Sequence, residues 1–139
     1  MATGTKIGKD TSVRLGSYII LGLGTWNMTG VTIDQYEDTS FGDEWKTFVP
    51  GLKDGGQLTF AGVYKPADST GQQALRVAAD AGTNITDIRF YVDNTSYWIP
   101  KTTNPSSYVN VTEWSISADK SGVMQTSFTC KVSGEMELL

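Results

Sequence analysis

The sequence predicts a mainly β (α+β) domain: two packed antiparallel sheets forming a β-sandwich or barrel, with one flanking α-helix. Three observations carry that expectation. Short runs alternate apolar and polar residues with period two, and Gly, Asn, Asp and Ser separate them, as strands joined by tight turns require. Thr, Ser, Asn and Val recur throughout, and 15 Gly stand against only 4 Pro in 139 residues, a composition that favours strands and turns. One segment alone, residues 69–81, has helical spacing. A chain of this length suits a single domain with one hydrophobic core.

Residues 1–16 are polar and Gly-containing and read as an N-terminal arm, with short strands near Thr5 to Ile7 and Ser12 to Leu15. The single domain then takes residues 17–139. Tyr18 to Leu21 is an apolar run between glycines, expected as a buried strand. Val31 to Asp38 alternates, with Val31, Ile33 and Gln35 on one face and Thr32, Asp34, Tyr36 and Asp38 on the other. Residues 39–56 are expected as a long loop without secondary structure, turning at Pro50-Gly51 and again at Asp54-Gly55-Gly56. Loops of this length are uncommon in compact domains and tend to be functional or disordered.

Alternation resumes from Gln57 to Tyr64, with Leu58, Phe60 and Tyr64 together. Ser69 followed by Gln72 fits a capping box that opens the helix. Ala74, Leu75, Ala78 and Ala79 make its apolar stripe, and Gly82 ends it. Ile85 to Asp93 and Tyr97 to Ile99 read as strands. Tyr108 to Ser117 and Val123 to Val132 read as a closing hairpin, with Met124, Thr126, Phe128, Cys130 and Val132 facing the core. That makes roughly seven or eight strands and one helix.

Catalytic chemistry finds little to work with. The chain has no histidine, which removes the commonest general base and metal ligand together. Cys130 is the only cysteine, falls on an inward strand position and has no imidazole to activate it, so it reads as buried filler and no intrachain disulfide can form. Asp34, Glu37, Asp38, Asp43 and Glu44 crowd together without a base among them. A calcium site, an acid/base pair and a local negative field are the alternatives; the spacing is wrong for an EF-hand, and a solvated or field-shaping face is favoured. No cofactor and no metal are expected.

The net charge of −4 and a pI near 4.7 argue against stable nucleic-acid binding, which needs a basic patch. The N-terminus lacks the apolar stretch of a secretory signal, and no run is long enough to span a bilayer, so no membrane partner is expected. The sequons at Asn27, Asn84, Asn94 and Asn110 then read as chance in an Asn- and Thr-rich chain. Trp26, Trp45, Trp98 and Trp114 keep a carbohydrate-binding module open. Trp114 reads as core, whereas Trp45, in the loop between Glu44 and Lys46, has little reason to be there unless it meets a partner.

The order of these elements resembles the tail tube, or major tail, protein of long-tailed, lambda-like phages. The acid-bearing strand VTIDQYED, the Trp-bearing SFGDEWKTF, the turn-rich VPGLKDGG, the strand QLTFAGVY and the helix opening GQQAL follow one another as in that family. The match covers Val31 to Val92 best and the final hairpin more loosely. The fold is also similar to the tube protein of type VI secretion systems, so fold alone does not separate the two.

The resemblance implies a non-enzymatic structural subunit of the virion tail, assembled in the host cytoplasm. Hexameric rings would stack into a hollow tube around a tape-measure protein, meet terminator and tail-tip proteins at the ends, and pass DNA during ejection. Leu139 following the last strand implies that a C-terminal decoration domain is absent. The 39–56 loop would stack rings, with Phe41, Trp45 and Phe48 as apolar anchors and Asp43, Glu44, Lys53 and Asp54 as polar contacts. Gln57, Thr59, Gln125, Ser127 and Thr129 could line the bore, and Asp34, Glu37 and Asp38 could line it or shape its field.

Overall fold

A computed structural model describes residue 8 and residues 11–93 and 95–139. In chain order the elements are β1 (Ser12–Leu15), β2 (Tyr18–Ile19), β3 (Leu23–Thr29), β4 (Thr32–Glu37), β5 (Phe48–Asp54), β6 (Gln57–Val63), α1 (Gln72–Ala81), β7 (Ile88–Tyr91), β8 (Tyr97–Pro100), β9 (Tyr108–Ser117), β10 (Gln125–Ser133) and β11 (Met136–Leu138). They form a five-stranded sheet in the order β11-β8-β7-β1-β2, a four-stranded sheet in the order β3-β6-β10-β9, and a separate two-stranded sheet, β4-β5. Every pairing is antiparallel. Among the described residues the two larger sheets pack as a sandwich and do not close into a barrel.

The alternation of β6 and β10 explains the packing. Leu58 and Phe60 on β6, and Thr126, Phe128, Cys130 and Val132 on β10, turn inward and are buried. Phe60 stacks on Phe128 and meets Phe90 of the facing sheet edge-on at 5.7 Å, while Trp26 of β3 lies 5.2 Å from the same Phe90. Such aromatic pairs add to the area they bury. Val13, Ile20, Leu75, Ile85, Ile88 and Val109 complete one continuous core.

Several expectations are corrected. Ser12 to Leu15 is the strand expected there but not part of an arm: β1 lies between β7 and β2, with Val13 buried. The expected strand near Thr5 to Ile7 lies outside the described residues, as does Asn94. Tyr18 to Leu21 is not a buried strand; β2 is an edge, so only Ile20 is buried and Tyr18, Ile19 and Leu21 stay exposed. β3 and β11 were not expected. Met124 is exposed, because β10 begins only at Gln125.

The helix begins at Gln72, not Ser69, and has no side-chain cap from the residue before it. Its start is fixed from elsewhere. The buried Asp68 carboxylate accepts from the N–H groups of Gln72 (3.2 Å) and Leu21 (2.9 Å). The buried Gln72 amide then accepts from Lys65 N–H at 2.8 Å and donates to the carbonyls of Leu21 and Val63 at 2.7 and 2.8 Å. Gln72 is therefore a strut between helix and sheets, and buried polar groups of this kind are stable only when fully paired. At the other end Gly82 adopts the left-handed conformation that closes the helix, as its position predicts.

Candidate assembly interface

The segment expected as a loop over residues 39–56 contains a strand. β5 pairs with β4 in the register Glu37↔Phe48, Tyr36↔Val49, Gln35↔Pro50, Ile33↔Lys53 and Thr32↔Asp54. Pro50-Gly51 is thus not a turn. Each strand of a two-stranded ribbon is an edge, where a proline's missing N–H goes unused. The register shifts between Ile33 and Gln35, and Gly51 and Leu52 occupy the extra space on β5, a bulge that a glycine accommodates. A Cβ at Gly51 would overlap the Tyr36 ring, so this glycine gives the aromatic side chain a backbone to lie on.

The tip is ordered by its own polar groups. Asp38 N–H donates to the Thr47 carbonyl at 2.7 Å, and the Thr47 hydroxyl donates to the Asp38 carbonyl at 2.8 Å. Asp43 accepts from Ser40 N–H at 2.8 Å, and Glu37 accepts from the Thr39 hydroxyl at 3.0 Å. These carboxylates have structural work. The Asp34, Asp38 and Glu44 carboxylates have no partner among the described residues. At the root, Asp54 accepts from Gly56 N–H and from Lys131 Nζ, both at 2.8 Å. The Lys131 hydrogen bond is the main reason its carboxyl sits below the ordinary aspartate range. Gly56, at φ 80°, cannot carry a side chain without meeting the Thr29 carbonyl.

Although ordered, the hairpin is uncovered. All residues of β4 and β5 are exposed except Gly51, which is half-buried. Tyr36, Phe48, Val49 and Leu52 are among them, and at the tip Phe41 and Trp45 are 109% and 81% exposed. The other tryptophans are not in this state: Trp26, Trp98 and Trp114 pack against the core. Large apolar side chains left exposed together on one hairpin of a small domain make it a candidate contact site.

The residues expected at a bore separate into two places. Asp34, Glu37 and Asp38 belong to the hairpin. Gln57, Thr59, Gln125, Ser127 and Thr129 share the outward face of the four-stranded sheet. Its cross-strand rows read Thr29, Gln57, Lys131, Asn110; then Asn27, Thr59, Thr129, Glu113; then Thr25, Ala61, Ser127, Ser115. Ser115 and Ser127 share a 2.6 Å hydrogen bond between hydroxyls. Asn27, Thr29, Ser115 and Ser117 extend this face beyond the residues sequence reasoning singled out. The polar alternation of β9 carried that signal, whereas β3 was hidden by its glycines.

The buried Cys130 thiol is pushed up to about 12 by desolvation, which removes it as a nucleophile near neutral pH. Among the described residues no three His, Cys, Asp or Glu side chains converge as metal ligands, and no helix is long and apolar enough to cross a membrane.

No family model and no curated protein matches the sequence, but solved structures match the fold along nearly its whole length. A chain of the virion of a native gene transfer agent particle superposes with a TM-score of 0.76 at 16% identity, covering 97% of this chain and 99% of that one. A chain of the extended sheath–tube complex of an extracellular contractile injection system gives 0.69 at 12%, covering 100% and 98%. The SPP1 tail tube gives 0.63 at 15%, covering 96% and 78%. This chain shares the fold found in tail and tube assemblies.

Proposed function

We propose that the chain is the structural subunit of a phage-type tail tube. Hexameric rings would stack into a hollow tube that surrounds a tape-measure protein and conducts DNA. The observation that carries the proposal is the β4–β5 hairpin, ordered within the chain yet apolar and uncovered, on a fold shared with tail and tube assemblies. One similar structure, the tail of an empty gene transfer agent particle, has C6 symmetry, and closure of the same kind would protect the open edges of this chain's sheets. β3 and β9 are the edges of the four-stranded sheet; pairing them between neighbours would join six sandwiches into one barrel.

In that barrel the outward face of the four-stranded sheet would line the bore. Its hydroxyl and amide side chains offer phosphate few cations to hold, which suits passage without retention. The hairpin would reach the next ring, with Phe41, Trp45 and Phe48 as anchors and Asp43, Glu44, Lys53 and Asp54 setting orientation. Terminator and tail-tip proteins would meet the same surfaces at the tube ends. The similarity to an injection-system sheath–tube complex supports a second reading, a secretion-type tube with the same assembly logic and a different cargo.

Negative-stain electron microscopy of the purified protein over a concentration series tests this. Six-membered rings or tubes are expected at high concentration. A protein that stays monomeric at every concentration overturns both readings.

A further inference from the structure

The formal charge of −4 is not spread over the chain. Residues 34–46 hold Asp34, Glu37, Asp38, Asp43 and Glu44 against Lys46, which accounts for the whole net charge; ten acids and ten bases balance elsewhere. A tip this acidic, with Trp45 in its midst, fits a surface offering a fixed cation beside an exposed apolar side chain.

The outer face of the five-stranded sheet has that composition. Arg14 on β1 lies directly opposite Arg89 on β7, and Ile19 on β2 lies directly opposite Arg14 on its other side. Like charges facing each other across strands are unfavourable, and here each guanidinium is held by an aromatic ring. Arg14 Cζ sits 4.0 Å from the Tyr91 ring centre and Arg89 Cζ sits 4.9 Å from that of Tyr97. Arg89 is also paired with Asp87 at 3.0 Å. Arg14 has no acceptor: its Nε is buried without a hydrogen-bond partner, and no ion pair involves it among the described residues. The other unpaired cations among the described residues, Lys46, Lys53, Lys65 and Lys120, are exposed side chains. Arg14 is the half-buried one, fixed in place. Beside it, on the same face, Ile19 is 49% exposed.

We infer that this face receives the hairpin tip of a second copy, with the Glu44 carboxylate meeting the Arg14 guanidinium and the Trp45 ring covering Ile19. The inference rests on the reading of the hairpin as a contact between subunits and adds its acceptor. Stacking on Tyr91 holds the guanidinium for planar recognition of a carboxylate, and the incoming charge offsets the Arg14–Arg89 repulsion. Tip and face are different surfaces, so the contact is head-to-tail and propagates from copy to copy.

A charge swap tests the pairing, with tube growth followed by sedimentation and electron microscopy. Arg14→Glu and Glu44→Arg should each raise the concentration needed for tubes by about tenfold or more, and the double variant should recover most of the loss. Arg14→Met keeps the stem on Tyr91 while losing the charge, and carries the test if circular dichroism shows Arg14→Glu to be unfolded. Tubes at the wild-type concentration from a folded Arg14 variant, or no recovery in the double swap, overturn the pairing. Trp45→Ala, run in parallel, separates the levels. If it blocks growth while the Arg14 variants do not, only the acceptor is wrong; if it too assembles normally, the hairpin reading itself falls.

Discussion

The sandwich and the β4–β5 hairpin use the same alternating pattern and end in opposite states. In the sandwich the alternation is resolved within the chain: Phe60 and Phe90 are almost wholly buried, and each sheet covers the other. In the hairpin, Ile33, Tyr36, Phe48 and Leu52 remain exposed because no third strand or second layer among the described residues reaches them. An isolated ribbon of this kind is marginal in water. The polar clamps at its tip and the Asp54–Lys131 bond at its root shape it without burying it. Stability thus resides in the sandwich, and on the proposed reading the hairpin's apolar surface is kept for an interface.

The largest expected effect separates the regions directly. Phe90→Ala should destabilise the subunit by about 3–5 kcal/mol, since it opens a cavity among Trp26, Phe60 and their neighbours. Trp45→Ala should stay within about 0.5 kcal/mol in the same denaturant titration. Equal losses would show that the hairpin belongs to the core.

Next in size is the strut. Gln72→Leu removes a buried amide that serves Lys65 N–H and the carbonyls of Leu21 and Val63. Leaving those groups unpaired should cost roughly 2–3 kcal/mol, read as a shift in denaturant midpoint. An unchanged midpoint would mean that the helix is held by its apolar stripe alone.

Cys130 should have a smaller effect, visible only at alkaline pH. Its thiol is raised from 9.0 to about 12 in the folded chain, so the unfolded chain loses its proton first. The contribution is fully present below pH 9 and is lost as pH rises toward 12. At neutral pH a thiol reagent should label Cys130 only as fast as the protein unfolds. Rapid labelling of the native subunit would place Cys130 outside the core.

The smallest effect belongs to the hairpin root. Lys131→Ala breaks an exposed ion pair, and such pairs add little. Its signature is a pH dependence. The depressed Asp54 carboxyl contributes stability above its ordinary pKa of 3.8 and loses it as pH falls through the folded value. Removing Lys131 should flatten that acid limb of the melting temperature. A limb of unchanged slope would show that Gly56 N–H alone sets the Asp54 carboxyl.

What was legible in the sequence follows the physics of each element. β6, β9 and β10 were readable because one face is buried and the period is therefore enforced residue by residue. Trp45 stood out because its neighbours are charged. β5 was missed because Pro50-Gly51 is a turn signal by composition, and only the free edges of a two-stranded ribbon allow it in a strand. β3 was missed because Gly24 interrupts it and Gly22 and Gly30 flank it, a turn signal by composition. The helix start was misplaced because its cap comes from Asp68, four residues before Gln72, and not from Ser69 as the capping-box spacing suggests. The outer polar face of the four-stranded sheet was half visible, lacking the rows contributed by β3.

The central claim is that another copy of this chain covers the hairpin. Oxidative footprinting with mass spectrometry, performed on dispersed subunits and on assembled material, measures that cover at Trp45. Strong modification of Trp45 in the free subunit and clear protection on assembly, with Trp26 unchanged in both, is the expected result. Trp45 labelled equally in subunit and assembly would contradict it.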